Sequence, residues 1–171
     1  MSRTAQRQAA RAEEEAADPE VVARSVALRL LARSPKSRDQ LARAIASRGV
    51  PDQVAAGVLD RFEAVGLVDD TAFAEMLVRT RHTERGLTGP ALAAELRRRG
   101  VDAEVAREAM EQVTPEDQLA RAVELARKKL AATAGLDRQV RLRRTYATLA
   151  RKGYPHALAT RALDAALAQE A

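Results

Sequence analysis

The 171-residue sequence has no cysteine, which excludes disulfides and thiolate zinc sites and fits a reducing compartment. Aromatic residues are nearly missing. Phe62, Phe73, Tyr146 and Tyr154 are too few and too dispersed for a base-stacking platform, which needs successive rings. Eight glycines and six prolines are few for this length, and alanine and leucine supply most of the apolar content. That composition predicts an all-α protein. No apolar run approaches the roughly 20 residues of a membrane span. The opening stretch MSRTAQRQAARAEEEAAD lacks the apolar h-region of a signal peptide, so a cytoplasmic protein is expected.

The means for catalysis are also missing. His82 and His156 are the only histidines and lie far apart in the chain, and there is no thiol nucleophile. Neither a G-x-x-x-x-G-K-[ST] loop nor an H-E-x-x-H helix occurs. Gly86-Leu87-Thr88-Gly89 follows a helical pattern rather than a strand, which argues against a phosphate-binding loop. Asp69-Asp70 reads as a helix-capping pair rather than a metal site. The expectation is a non-enzyme without metal or cofactor.

Charge is present and unevenly placed. The net charge is +5, and residues 117–171 alone carry eleven basic and five acidic residues. Between Arg138 and Leu163 seven basic residues occur with no acid. A field of one sign favours a polyanion or an acidic protein surface. Glu13-Glu14-Glu15 belongs to residues 1–20, read as a flexible or frayed helical tail.

A repeat of about 50 residues runs through the chain. LARAIASRGVPDQVAAGVL from Leu41, LAAELRRRGVDAEVAREAM from Leu92 and TYATLARKGYPHALATRAL from Thr145 superpose on Gly49, Gly100 and Gly153. A basic residue precedes each glycine: Arg48, Arg99 and Lys152. Ile45, Leu96 and Leu149 stand four residues before it. Each unit reads as three helices, giving repeats over 21–69, 70–113 and 114–171. Apolar positions at helical spacing mark the first helices: Val26, Leu30 and Leu31, then Phe73, Met76 and Leu77, then Leu119, Val123 and Leu130. Ser37-x-x-Gln40 is a capping box. Thr114-Pro115 is an N-cap with proline at the first helical position. Thr88-Gly89-Pro90 opens another helix, and the third helices start near Pro51, Asp102 and Pro155. Arg99 and its counterparts sit in a last helical turn, where a cation complements the macrodipole. The following glycine allows the turn.

These residues form a recognisable series. GLVDDTAFAEMLVRTR, Gly66 to Arg81, followed by GPALAAELRRRGV, Gly89 to Val101, resembles the central block of the RecX regulatory proteins. The resembling positions are Asp69-Asp70, Phe73-Ala74, Val78-x-x-Arg81, Gly89-Pro90, Glu95-Leu96 and Arg99-Gly100. Leu77 stands where many relatives carry an aromatic. ALRLLARSPKSRDQLARAIASRGV and TYATLARKGYPHALATRAL look like the family's first and third repeats, so the resemblance spans residues 25–168. It implies an elongated array of three tandem three-helix repeats with helix-turn-helix-like units. It also implies a monomeric regulator that binds the RecA–DNA filament, suppresses strand exchange and ATP hydrolysis, and binds single- and double-stranded DNA.

Candidate contacts follow from the charge pattern. Arg138, Arg141, Arg143, Arg144, Arg151 and Lys152 concentrate the basic field, and Arg141, Arg144 and Arg151 recur at spacings that can share a helical face. Arg97 and Arg98 have no basic equivalents in the first repeat, where Ala46 and Ser47 stand, so they are surplus to helix termination. Arg81 completes the set. Two other readings fit the same charges: a general DNA-binding helical-repeat protein unconnected to RecA, and a structural scaffold that binds neither.

Overall fold

The computed structural model describes residues 18–169, and the expectations placed on residues 1–17 lie outside them. The described residues form helices joined by short turns, with no strand among them. The helices are α1 (Pro19–Leu31), α2 (Arg38–Ala46), α3 (Asp52–Ala64), α4 (Asp70–Arg85), α5 (Gly89–Arg98), α6 (Ala103–Met110), α7 (Pro115–Ala131), α8 (Arg138–Arg151) and α9 (His156–Ala168). The chain divides into two compact units, the first ending at Phe73 and the second beginning at Ala74. None of these helices is long and apolar enough to cross a membrane.

Local chemistry sets the helix starts. Ser37 accepts from the Gln40 amide, and Gln40 reaches back to the Ser37 amide, completing the expected capping box. Thr114 and Asp117 form a second such box at α7, with Pro115 at the first helical position. Asp18 caps α1 through the Glu20 amide, so helix begins slightly before the tail boundary expected at residue 20. Pro51 and Pro155 are cap residues, each one position earlier than the first turn. Thr88 precedes α5 without a side-chain capping bond: Pro90 has no amide hydrogen to donate, and the Ala91 amide donates to the Thr88 carbonyl at 3.1 Å.

In the first unit α1, α2 and α3 pack on one another. Val22, Val26, Leu41, Ile45, Val58, Leu59 and Phe62 form their core. The acidic pair divides its work. Asp69 accepts from the Ala72 amide at 2.8 Å and caps α4, whereas Asp70 accepts the Arg38 amide at 2.7 Å and closes the N-terminus of α2. Arg38 in turn forks to Asp60 at 2.6 Å and Glu63 at 2.5 Å on α3. The pair therefore ties three helices together instead of capping only its own.

In the second unit, Leu77, Val78, Leu92 and Leu96 are buried around α4 and α5. Helices α7, α8 and α9 pack mutually over a core rich in alanine: Ala122, Ala126, Ala159, Ala162 and Ala166, with Leu130 and Leu149. Alanine has no side chain beyond Cβ, so these helices approach closely at little entropic cost.

Candidate partner-binding surface

The arginines of the sequence series separate into those that hold the protein together and those that face outward. Glu95, on α5, is only 5% exposed. Burial alone would raise its pKa, but hydrogen bonds and charges from Arg98, Arg81 and Arg99 outweigh that and hold it below the ordinary value of 4.5. Arg81 approaches at 3.4 Å from α4 and Arg99 at 3.3 Å from the end of α5, while Arg98 bonds the second carboxylate oxygen. One carboxylate thus collects three guanidinia. Arg98 and Arg81, expected as partner contacts, are spent in this hub, although the Arg98 side chain stays largely exposed. Arg97 differs: it is exposed and its side chain bonds to no described residue.

On α8 the same separation holds. Arg141 is half-buried and its Nη2 donates at 3.1 Å to the Leu130 carbonyl, one of the last carbonyls of α7. It therefore does not join Arg144 and Arg151 on the exposed face. Arg138, Arg143 and Arg144 are exposed and their side chains bond to no described residue. Arg151 is exposed and touches only the Thr148 hydroxyl, at 3.3 Å. Thr145 and Leu149 turn into the core. At 3.6 residues per turn, Arg143, Arg144 and Arg151 point to the opposite side of the helix, with Arg144 and Arg151 about 20° apart in azimuth and roughly 10 Å apart along the axis.

Lys152 has an internal task. Its ammonium donates to the Arg85 carbonyl at the end of α4. Burial, then the charges of Arg121, Arg85 and Arg151, lower its pKa. Beside it, the Thr88 amide donates to the Lys152 carbonyl at 2.9 Å. Gly153 adopts φ +96°, and a Cβ there would lie 2.1 Å from the Thr88 carbonyl oxygen. The basic-glycine turn of the third repeat is thus a clasp on the second repeat. The equivalent Gly49 meets nothing within 4 Å. The sequence series identified the shared turn but not that one copy is docked.

The remaining rings and histidines are structural or peripheral. Phe62 and Phe73 are buried, and so is Tyr154, whose hydroxyl has no hydrogen-bond partner. Tyr146 shares a hydrogen bond with His156 Nδ1 across α8 and α9, their rings edge-on at 5.4 Å. His82 Nδ1 lies 3.0 Å from the Leu87 carbonyl. No group of three potential metal ligands occurs among the described residues. What the arrangement offers chemically is cationic recognition: an exposed basic face on α8 and a lone Arg97 on α5.

Three family models match the chain in order: the RecX first three-helix domain over residues 23–62, the second over 69–110 and the third over 116–163. The regulatory protein RecX of Thermobifida fusca is 50% identical over 139 residues, covering 81% of this chain and 75% of its own. That of Streptomyces coelicolor is 47% identical over 153 residues, covering 90% and 81%. A crystal structure of RecX from Lactobacillus salivarius superposes with a TM-score of 0.79 at 18% identity, over 88% of this chain and 98% of its own. At that identity the likeness is one of fold.

Proposed function

The chain belongs to the RecX family of regulatory proteins and is not an enzyme, and on that premise we propose that it binds the RecA–DNA filament and restrains recombination. It acts as a cytoplasmic monomer, lowering strand exchange and ATP hydrolysis during DNA repair. The observation that carries this reading is the outward face of α8, where Arg143, Arg144 and Arg151 find no acidic partner within the described protein, with Arg138 exposed at the start of the same helix. Guanidinia held on a rigid helix, with no internal carboxylate to neutralise them, attract phosphates or acidic protein surface. Arg97 is a second contact of the same kind. Arg81, Arg98, Arg141 and Lys152 support the face through the fold rather than through direct contact.

The test reverses two charges that the fold does not use. Arg144→Glu with Arg151→Glu should weaken binding to RecA filaments on single-stranded DNA. For every phosphate that the variant no longer neutralises, the salt slope should become shallower by about 0.7–0.9. Unchanged affinity and slope would remove this face from the reading. The rival, a DNA-binding repeat protein unconnected to RecA, is separated by stoichiometry. Strong inhibition of strand exchange far below DNA saturation supports the filament regulator, and inhibition only at saturation supports the rival.

A further inference from the structure

The second compact unit contains a cleft of about 470 Å³ between α4 and α7, away from the outward face of α8. Arg79, His82 and Thr83 form one wall, and Ala120 and Arg121 the other, with Val113 between. Arg79 is exposed and its guanidinium bonds to no described residue. Arg121 pairs with Glu124 and donates at 3.4 Å to the Glu84 carbonyl, yet its Nε is buried with no partner. His82 directs Nδ1 to the Leu87 carbonyl, which takes the ring proton there and leaves Nε2 uncommitted. Two carboxylates also line the cleft. Asp117 is taken up by the amide and hydroxyl of Thr114, and Glu124 by Arg121.

We propose that this cleft docks an acidic peptide segment of a protein partner. A carboxylate side chain answers the unpaired Arg79, whose planar guanidinium suits such an acceptor. Val113 and Ala120 offer an apolar floor for a neighbouring side chain. Asp117 and Glu124 present acceptor oxygens, which a peptide can meet with backbone N–H groups. A phosphodiester strand carries only acceptors on its backbone and offers Asp117 and Glu124 no donor. The mixed lining therefore favours peptide over nucleic acid, and the site is separate from the basic face of α8.

The test uses the full chain and a fluorescein-labelled peptide alternating aspartate with leucine, read by fluorescence anisotropy. A serine–leucine peptide and oligothymidylate serve as comparisons. Arg79→Glu and Thr83→Glu place negative charge on exposed lining positions, so the loss of one variant to misfolding leaves the other. Each should weaken the aspartate peptide by about tenfold and leave oligothymidylate binding unchanged, and Arg24→Glu, on the first unit, should change neither. The proposal is overturned by any of four results: no binding of the aspartate peptide, equal binding of the serine peptide, unchanged affinity in both cleft variants, or a proportional loss of oligothymidylate binding. The last of these would make the cleft a phosphodiester site.

Discussion

Substituting alanine for Gly153 and, separately, for Gly49 isolates the clasp between the second and third repeats. Both glycines have positive φ, +96° and +76°, so both substitutions incur the left-handed penalty of about 1–2 kcal/mol. At Gly49 nothing lies within 4 Å of the new Cβ, and the cost ends there. At Gly153 the Cβ meets the Thr88 carbonyl oxygen at 2.1 Å and the Ala91 nitrogen at 3.1 Å. Both are backbone atoms that cannot rotate away. Relief requires the turn to withdraw, which breaks the 2.9 Å bond from the Thr88 amide to the Lys152 carbonyl. Thr88 is 1% exposed, so its stranded amide costs a further 1–3 kcal/mol or so. The difference between the two variants is then about 2 kcal/mol, roughly 4–8 °C in melting temperature for a chain of this length. Thermal melts by circular dichroism measure that difference. Hydrogen exchange at the Thr88 amide supplies a local reading, with protection lost in Gly153→Ala and kept in Gly49→Ala. Equal destabilisation by the two substitutions, with the Thr88 amide still protected, would refute the clasp.

Glu95→Gln removes the charge that three arginines share. The folded carboxyl titrates below 4.5, so its ion pairs contribute fully above pH 4.5 and are lost as the pH falls through the lowered value. Wild type should exceed the variant by about 1–2 kcal/mol at neutral pH, since Arg98 and Arg99 keep access to solvent, and the gap should close in acid, as melts across that range will show. Tyr154→Phe deletes a buried hydroxyl without a partner and should leave stability unchanged or raise it by about 1 kcal/mol. Burial pushes the Tyr154 phenol up from 10.0 to about 12. Ultraviolet titration should therefore lose an ionisation near 12 in that variant. Wild-type stability should fall as pH rises from 10 to 12, because the unfolded phenol gives up its proton first.

The features legible in the sequence are those that depend on neighbours along the chain. Ser37 and Gln40, or Thr114 and Asp117, lie within one turn, so residue type and spacing define the cap before any packing occurs. The turns after Arg48, Arg99 and Lys152 are readable for the same reason. Arg98 and Arg99 are assignable inward from Glu95, three and four residues earlier on the same helix. Arg81 is not, since α4 brings it to that carboxylate from 14 positions away. Arg141 repeats at the spacing of an exposed stripe, yet the Leu130 carbonyl claims it. Spacing states which residues share a face, not which way the face turns. The cleft between α4 and α7 joins residues about 40 positions apart, and no local pattern encodes it. Lys152 matches Arg48 and Arg99 in charge and in place before the glycine, and its proximity to Arg85 and Thr88 gives it a different task.

Because Gly153 fits a backbone slot, α8 has a fixed length but a free surface. Inserting one residue between Arg138 and Arg151 would rotate the end of the helix by about 100° and carry Gly153 away from Thr88. The identities of residues 143, 144 and 151 carry no such restriction, since their side chains meet solvent. Selection can therefore retune the charge on this helix one substitution at a time, while insertions and deletions within it are barred. The turn at Gly49 carries no corresponding lock, since a Cβ added there would meet nothing within 4 Å.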